Sequence, residues 1–251
     1  VIVSILGSLL PYLYYNRWPQ GILDTPCKIS GVWIDHWSRR DSFDQIYAVV
    51  DSKHPSTVIV SGELSESDLK ASFLELFPYR AKTSSQENGG ITILSRVPIA
   101  SNYIDDLGVD AFPGGVFTLK PESCQEIELG VMALVPSKNQ GDLQRNLITA
   151  RRLSSLMRNS DALRIVTAQF STTPFSAIMA IYPEQTRLRS LMYGLGIKNL
   201  FSAQTGSNVF VSREFARVSY ELLHYPGRAR AMQYFKVKSK EPTEYAQASI
   251  Q

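Results

Sequence analysis

The chain offers few side chains that could hold a metal or move a proton. Its three histidines are His36, His54 and His224, and they are far apart in sequence. Asp35-His36 has the residue types of an oriented general base. A base also needs a partner and a substrate within hydrogen-bond reach, and the flanking sequence supports a loop-satisfied histidine better. His54 precedes Pro55 and His224 stands just before Pro226, so both read as loop residues. Glu63 completes no metal-ligand spacing with these three. Ser65, Ser95 and Ser171 lack the His/Asp company that activates a nucleophile. Gly89-Gly90 and Gly114-Gly115 do not open helices as a phosphate loop requires, and they read as strand-entry turns. Arg213, Arg217, Arg228, Arg230, Lys236, Lys238 and Lys240 gather near the C-terminal end, where they either meet an anionic partner or guard a sheet edge.

The elements that must position these groups are legible in outline. With 251 residues the chain can bury a sizeable core in one large α/β domain or two small ones. The 15 Gly and 13 Pro are near the usual share, which excludes a collagen-like or bulk-disordered chain. The 26 Lys+Arg against 23 Asp+Glu give a net charge of +3, too small to demand a nucleic-acid partner. Two cysteines, Cys27 and Cys124, exclude a disulfide framework and any multi-cysteine zinc site. They either form one bridge or remain two buried thiols.

Val1–Tyr15 (VIVSILGSLLPYLYY) carries no charge, and the first charged residue is Arg17. A spanning helix needs roughly 20 apolar residues, so the stretch reads as the C-terminal part of a transmembrane helix. Tyr12, Tyr14, Tyr15 and Trp18 then form an interfacial aromatic belt, with Arg17 among the headgroups. Residues 1–18 are thus read as a membrane-helix remnant touching the bilayer and 19–27 as a linker. A domain over 28–238 and a polar tail over 239–251 follow.

Within the domain, strand-like and helix-like segments alternate. Strands are expected at Lys28–Ile34, Thr57–Ser61, Ile91–Leu94, Gly115–Leu119, Ile127–Leu134, Arg164–Ala168, Asn208–Ser212, Val218–Leu223 and Met232–Val237. Ser42–Ser52 places Phe43, Ile46, Val49 and Val50 on one helical face. Ser65–Leu76 reads as a helix opened by a capping box, Ser65 with Asp68. Asp142–Met157 reads as a helix whose buried stripe is Leu143, Leu147, Ala150, Leu153 and Met157. Pro174–Tyr182 and Glu184–Tyr193 read as short helices. No repeat of solenoid period runs through the chain.

Several segments, in order, resemble the endonuclease/exonuclease/phosphatase superfamily, the fold of DNase I. TVIVSGEL (Thr57–Leu64) resembles its strand ending in Gln-Glu, and GITILSRVPI (Gly90–Ile99) resembles its G-x-x-x-LSR-x-PI stretch. Asn146–Pro174 resembles the helix and strand leading into a Gly-Asp-Phe-Asn-x-x-Pro loop. NVFVS (Asn208–Ser212) resembles the strand of Asp-His-x-x-x-Ser, and YPGRARA (Tyr225–Ala231) stands where Ser-Asp-His is usual. LLPY (Leu9–Tyr12) resembles the end of the last membrane helix in anchored members. The resemblance implies a two-sheet α/β sandwich with flanking helices. It also implies phosphoester hydrolysis at one or two divalent cations, with Glu and Asp as metal ligands and His as general base.

Position by position, the match keeps the scaffold and drops the chemistry. Glu63 stands at the metal-binding Glu, but the preceding Gln is Gly62. The early Asn falls at Ile34 or Asp35, and the His after the central strand falls near Val135. The catalytic Asp and Asn positions are Gln169 and Ser171, and the leading Gly is Ala168. The Asp-His before the penultimate strand corresponds to Ser207 and Asn208, and the final Asp-His to Ala229 and Arg230. Phe170 and Pro174, which shape the loop, are retained. One carboxylate is a poor site for a cation that dehydrates reluctantly, so neither a metal nor a cofactor is expected. Arg230 alone could pair with an anion.

The expected function is therefore a catalytically inactive phosphohydrolase-like pseudoenzyme. It would be membrane-associated, on an undetermined side, as a structural or accessory subunit. Its expected partners are subunits of a membrane protein complex, with no nucleic acid. The rival readings are a divergent metal-dependent phosphodiesterase or phosphatase using Glu63, Asp35 and His36, and a non-hydrolytic binder of a phosphorylated ligand.

Overall fold

In the computed structural model, the residues described are 27–37, 43–62, 64, 65, 67, 69–83, 90–100, 107, 112–122, 124–135, 139–158, 162–169, 185–191, 207–223 and 232–239. Two parallel strand pairs organise them. Strand β1 (Lys28–Trp37) lies parallel to β2 (Thr57–Gly62), and parallel neighbours need a crossover, which here runs through α1 (Phe43–Lys53). The pattern repeats with β7 (Ile127–Ala133), α3 (Gln140–Arg158) and β8 (Leu163–Gln169).

Around the first pair the chain adds α2 (Ala71–Leu76), β3 (Tyr79–Lys82), β4 (Ile91–Ser95), β11 (Phe215–Leu223) and β12 (Met232–Ser239). They give a six-stranded sheet of order β11-β12-β1-β2-β4-β3. Around the second pair come β5 (Ile99–Ala100), β6 (Gly114–Leu119), β9 (Arg189–Ser190) and β10 (Ser207–Val211). That sheet has the order β5-β6-β7-β8-β10-β9.

Strand alternation sorts side chains into layers. Ile29 and Trp33 of β1 enter the core between the sheets, together with Ile59, Phe117, Leu129, Ile165, Val209 and Phe235. Val32 and Ile34 point the other way and pack under Ile46, Val49 and Val50 of α1. Across the second sheet, Met132, Val166 and Ala168 pack under Ala150, Leu153 and Met157 of α3. The result is four layers, helix–sheet–sheet–helix. At Gly31 neighbouring strands of the first sheet close tightly: a Cβ there would stand 2.4 Å from the ring of its cross-strand partner Phe235.

The structure corrects several local readings. The helix expected over Ser65–Leu76 runs only from Ala71 to Leu76, with Lys70 at its N-cap and no side-chain cap bond. Ser65 hydrogen-bonds Ser67 instead. Leu143, expected on the buried stripe of α3, is 43% exposed. The buried face holds Asn146, Thr149 and Ser154 beside Ala150, Leu153 and Met157. Polar side chains belong there because they bond neighbouring segments: the Phe112 N–H donates to Thr149 Oγ1 at 2.8 Å, and Ser154 Oγ donates to Gln185 Oε1 at 3.1 Å. Arg189–Ser190, read as helix, pairs as a strand with Phe210 and Val211. Lys236 and Lys238 lie on β12, an interior strand between β11 and β1, so they do not guard an edge. Ser239, read as tail, ends β12 and donates its N–H to the Cys27 carbonyl at 3.1 Å.

Cys27 and Cys124 are bonded to each other as a disulfide, across a sequence separation of 97. Cys27, counted with the linker from sequence, is 1% exposed and belongs to the core. The expected membrane segment, residues 1–18, lies outside the described residues. Among the described residues no helix is long and apolar enough to cross a membrane.

Candidate functional site at the strand ends

The disulfide orients the two sheets relative to each other. Cys27 immediately precedes β1 and Cys124 stands three residues before β7, so the N-terminal ends of these strands share one end of the sandwich. The C-terminal ends of β1, β2, β7 and β8 then meet at the opposite end. In open α/β architectures that is where ligand sites form.

Among the described residues, Val135, Gln169, Ser207 and Asn208 of the positions singled out from sequence map to that end. Val135 follows β7, and Gln169 is the last residue of β8. Gln169 pairs in register with Ser207, the first residue of β10, and Asn208 pairs with Ala168. Asp35 and His36 lie in the last three residues of β1. Ile34, the alternative to Asp35 for the early Asn, is fully buried and packs toward α1, away from the interlayer. Glu63, Ser171, Ala229, Arg230 and His224 lie outside the described residues. So do Phe170 and Pro174, and the helix expected over Pro174–Tyr182. In sequence Glu63 directly follows β2, and Arg230 stands two residues before β12.

Two features show how the chain builds this end. Gly62, where the resemblance has Gln, adopts φ 119, a backbone conformation that side chains strain to reach. Its N–H donates to the Gly90 carbonyl at 2.9 Å, and Gly90 itself has φ 75 as it enters β4. Val135 is held by the fully buried Asn146 of α3, which bonds both of its backbone groups.

Just inside the strand ends lies a polar floor that sequence reasoning missed. Trp33 and Gln233 face each other in register across β1 and β12, and both are fully buried. Thr167, between Val131 and Val209 in the second sheet, is fully buried too. The Trp33 indole N–H, the Thr167 hydroxyl and both amide atoms of Gln233 have no hydrogen-bond partner in the protein. Buried polar atoms are normally paired, so these atoms are a demand for a guest with hydrogen-bonding groups, water included. The signal was available: Gln233 alternates with Phe235 and Val237, whose positions are apolar.

None of the four strand-end positions matched to catalytic ones carries a carboxylate. Val135, Gln169, Ser207 and Asn208 bring an alkyl group, amides and a hydroxyl where hard anionic oxygens are needed. Among the described residues no three His, Cys, Asp or Glu side chains are grouped to hold a metal.

His54 is far from this chemistry: it is exposed, has φ 46, and closes α1 through a bond from its N–H to the Val50 carbonyl. Among the basic residues, Arg217 donates to the Leu191 carbonyl at 3.0 Å, and burial pulls its pKa down. Lys53 pairs with Glu221, and its ammonium sits over the Tyr234 ring, 5.3 Å from the centroid.

No family model matches the chain, and no curated protein matches it. Solved structures do. D. rerio TDP2, complexed with a single-strand DNA product, aligns with a TM-score of 0.65 at 12% identity, over 84% of this chain and 99% of that one. The human Nocturnin catalytic domain, with a bound sulfate anion, aligns with a TM-score of 0.62 at 12% identity, over 85% and 95%. An endonuclease/exonuclease/phosphatase from Beutenbergia cavernae aligns with a TM-score of 0.61 at 12% identity, over 85% and 72%. The chain thus has the DNase I-like sandwich fold of the endonuclease/exonuclease/phosphatase structures.

Proposed function

We propose that this chain is a pseudoenzyme, a hydrolase-type sandwich that serves as a membrane-anchored structural or accessory subunit of a protein complex. The observation that carries the reading is the set of residues at the strand ends. Val135, Gln169, Ser207 and Asn208 stand there, and none of them transfers a proton near neutral pH. A missing general base alone forgoes roughly 100- to 10,000-fold in rate. The anchor rests on the uncharged run of residues 1–15 and its aromatic belt. The partner is another membrane protein, met through the anchor and the rim of the cleft. The net charge of +3 gives little attraction for nucleic acid.

The test is turnover of bis-p-nitrophenyl phosphate and p-nitrophenyl phosphate by the purified chain with Mg²⁺ or Mn²⁺. The expected result is background rate, equal in wild type and Glu63→Ala. Turnover abolished by Glu63→Ala would establish a divergent phosphohydrolase instead. Detergent extraction of the native protein should bring a membrane subunit with it in fixed ratio.

Binding without hydrolysis is a second reading, favoured by the unpartnered atoms of Gln233, Thr167 and Trp33. Inorganic phosphate binding that is weakened by Arg230→Ala would support it, and an unchanged affinity would remove Arg230 from the site.

A further inference from the structure

The chain's two cysteines are joined, and the place of the bond matters. Cys27 belongs to the first sheet: its carbonyl accepts the N–H of Ser239, at the end of β12. Cys124 belongs to the second sheet, in the connection between β6 and β7. The bond ties one layer to the other at the end of the sandwich opposite the C-terminal ends of β1, β2, β7 and β8. Cys27 is 1% exposed within the interlayer core, and Cys124 is packed against that core. Thiolate attack needs access to sulfur, and burial of Cys27 closes one of the two sulfurs to it, as suits a structural staple. It closes a loop of 97 residues in sequence, long enough that the loss of unfolded-state entropy lies toward the upper end of the usual range.

We infer that the domain matures and works in an oxidising compartment, on the far side of the membrane from the reducing cytosol. Glutathione and thioredoxin keep cytosolic thiols reduced, and structural disulfides persist outside that environment. Pairing takes two electrons and two protons from the two thiols. The acceptor is the disulfide of a thiol-oxidising protein: one cysteine thiolate attacks it, and the second cysteine displaces the resulting mixed disulfide, leaving the catalyst as a dithiol. The inference does not depend on the cleft's being inactive, because neither cysteine lies at that end. It adds that any partner meeting the domain does so in the same compartment.

The experiment has two readouts on the full chain in the cells that make it. In the first, cells are quenched in acid, free thiols are blocked with N-ethylmaleimide, and the protein is then reduced and labelled with polyethylene-glycol maleimide. Two tags per chain are expected. In the second, sealed spheroplasts or cells are treated with a protease that cannot cross the membrane, and the domain is expected to be digested without lysis. Cysteines already blocked at the first step, or a domain protected in sealed cells but digested once the plasma membrane alone is opened, would overturn the assignment.

The staple itself is read on purified protein. Reduction, or the double variant Cys27→Ser/Cys124→Ser, is expected to lower Tm by about 5–15 °C. If the double variant does not accumulate, wild type titrated with dithiothreitol gives the same reading. An unchanged Tm would remove the structural role.

Discussion

Asn146 and Val135 are joined through both backbone groups of the valine. The Val135 N–H donates to Asn146 Oδ1 at 3.2 Å, and Asn146 Nδ2 donates to the Val135 carbonyl at 2.8 Å. A fully buried helix side chain thus sets the path of the chain as it leaves β7, at the position where the resemblance expects a histidine. Asn146→Ala leaves a buried donor and acceptor without partners, at roughly 1–3 kcal/mol each before relaxation. We expect a loss of about 2–4 kcal/mol in urea unfolding, with an unchanged m-value. A loss below about 0.5 kcal/mol would show that this loop finds other partners.

The face of α3 can be tested by a pair of leucines. Leu153 is fully buried against the second sheet, whereas Leu143 is 43% exposed. Leu153→Ala should cost about 2–5 kcal/mol, and Leu143→Ala should stay within about 0.5 kcal/mol. Equal costs in thermal or urea unfolding would restore the sequence-based stripe.

Gly31 admits no side chain without moving a ring. A Cβ at this position would lie 2.4 and 2.6 Å from two Phe235 ring atoms, and the ring is itself 1% exposed. Gly31→Ala is expected to cost about 1–3 kcal/mol by overpacking. Gly31→Ala combined with Phe235→Leu should cost less than the sum of the two single changes. Additive losses in a double-mutant cycle would show that the two sites do not meet.

Glu221 makes a small, signed contribution to pH dependence. Its carboxyl is held below the ordinary value of 4.5 by hydrogen bonds from Lys53 and Ser219, against the opposing effect of burial. Because the folded value is the lower one, the stabilisation is complete above about pH 4.5. It is lost as pH falls through the folded value. The side chain is 42% exposed, so solvent screening limits the effect to about 1 kcal/mol at most. Glu221→Gln should therefore lie below wild type in stability at neutral pH, and the gap should close in acid. A gap that widens below about pH 4 would reverse the sign of this account.

Much of the layering was legible from local pattern. Short runs of apolar and β-branched residues mark β2, β4, β7 and β8, and the helical spacing of Ile46, Val49 and Val50 marks α1, because these signals depend only on neighbours along the chain. The resemblance implied the two-sheet sandwich and pointed to Val135, Gln169, Ser207 and Asn208, which stand at or next to strand ends. The short strands Tyr79–Lys82, Ile99–Ala100 and Arg189–Ser190 left no such mark, since their pairing is supplied by a longer neighbour.

The amino-acid sequence by itself determined which chemical groups stand at Val135, Gln169, Ser207 and Asn208, because no fold can turn a valine into a base or a glutamine into a carboxylate. Only tertiary structure decided which residues meet. It joined Cys27 to Cys124, placed Asn146 on Val135, and set Gln233 and Trp33 side by side with unpartnered polar atoms. Each of these pairings links residues distant in the chain or in separate elements. Their proximity follows from the crossovers and the stacking of two sheets, and local spacing carries no record of either.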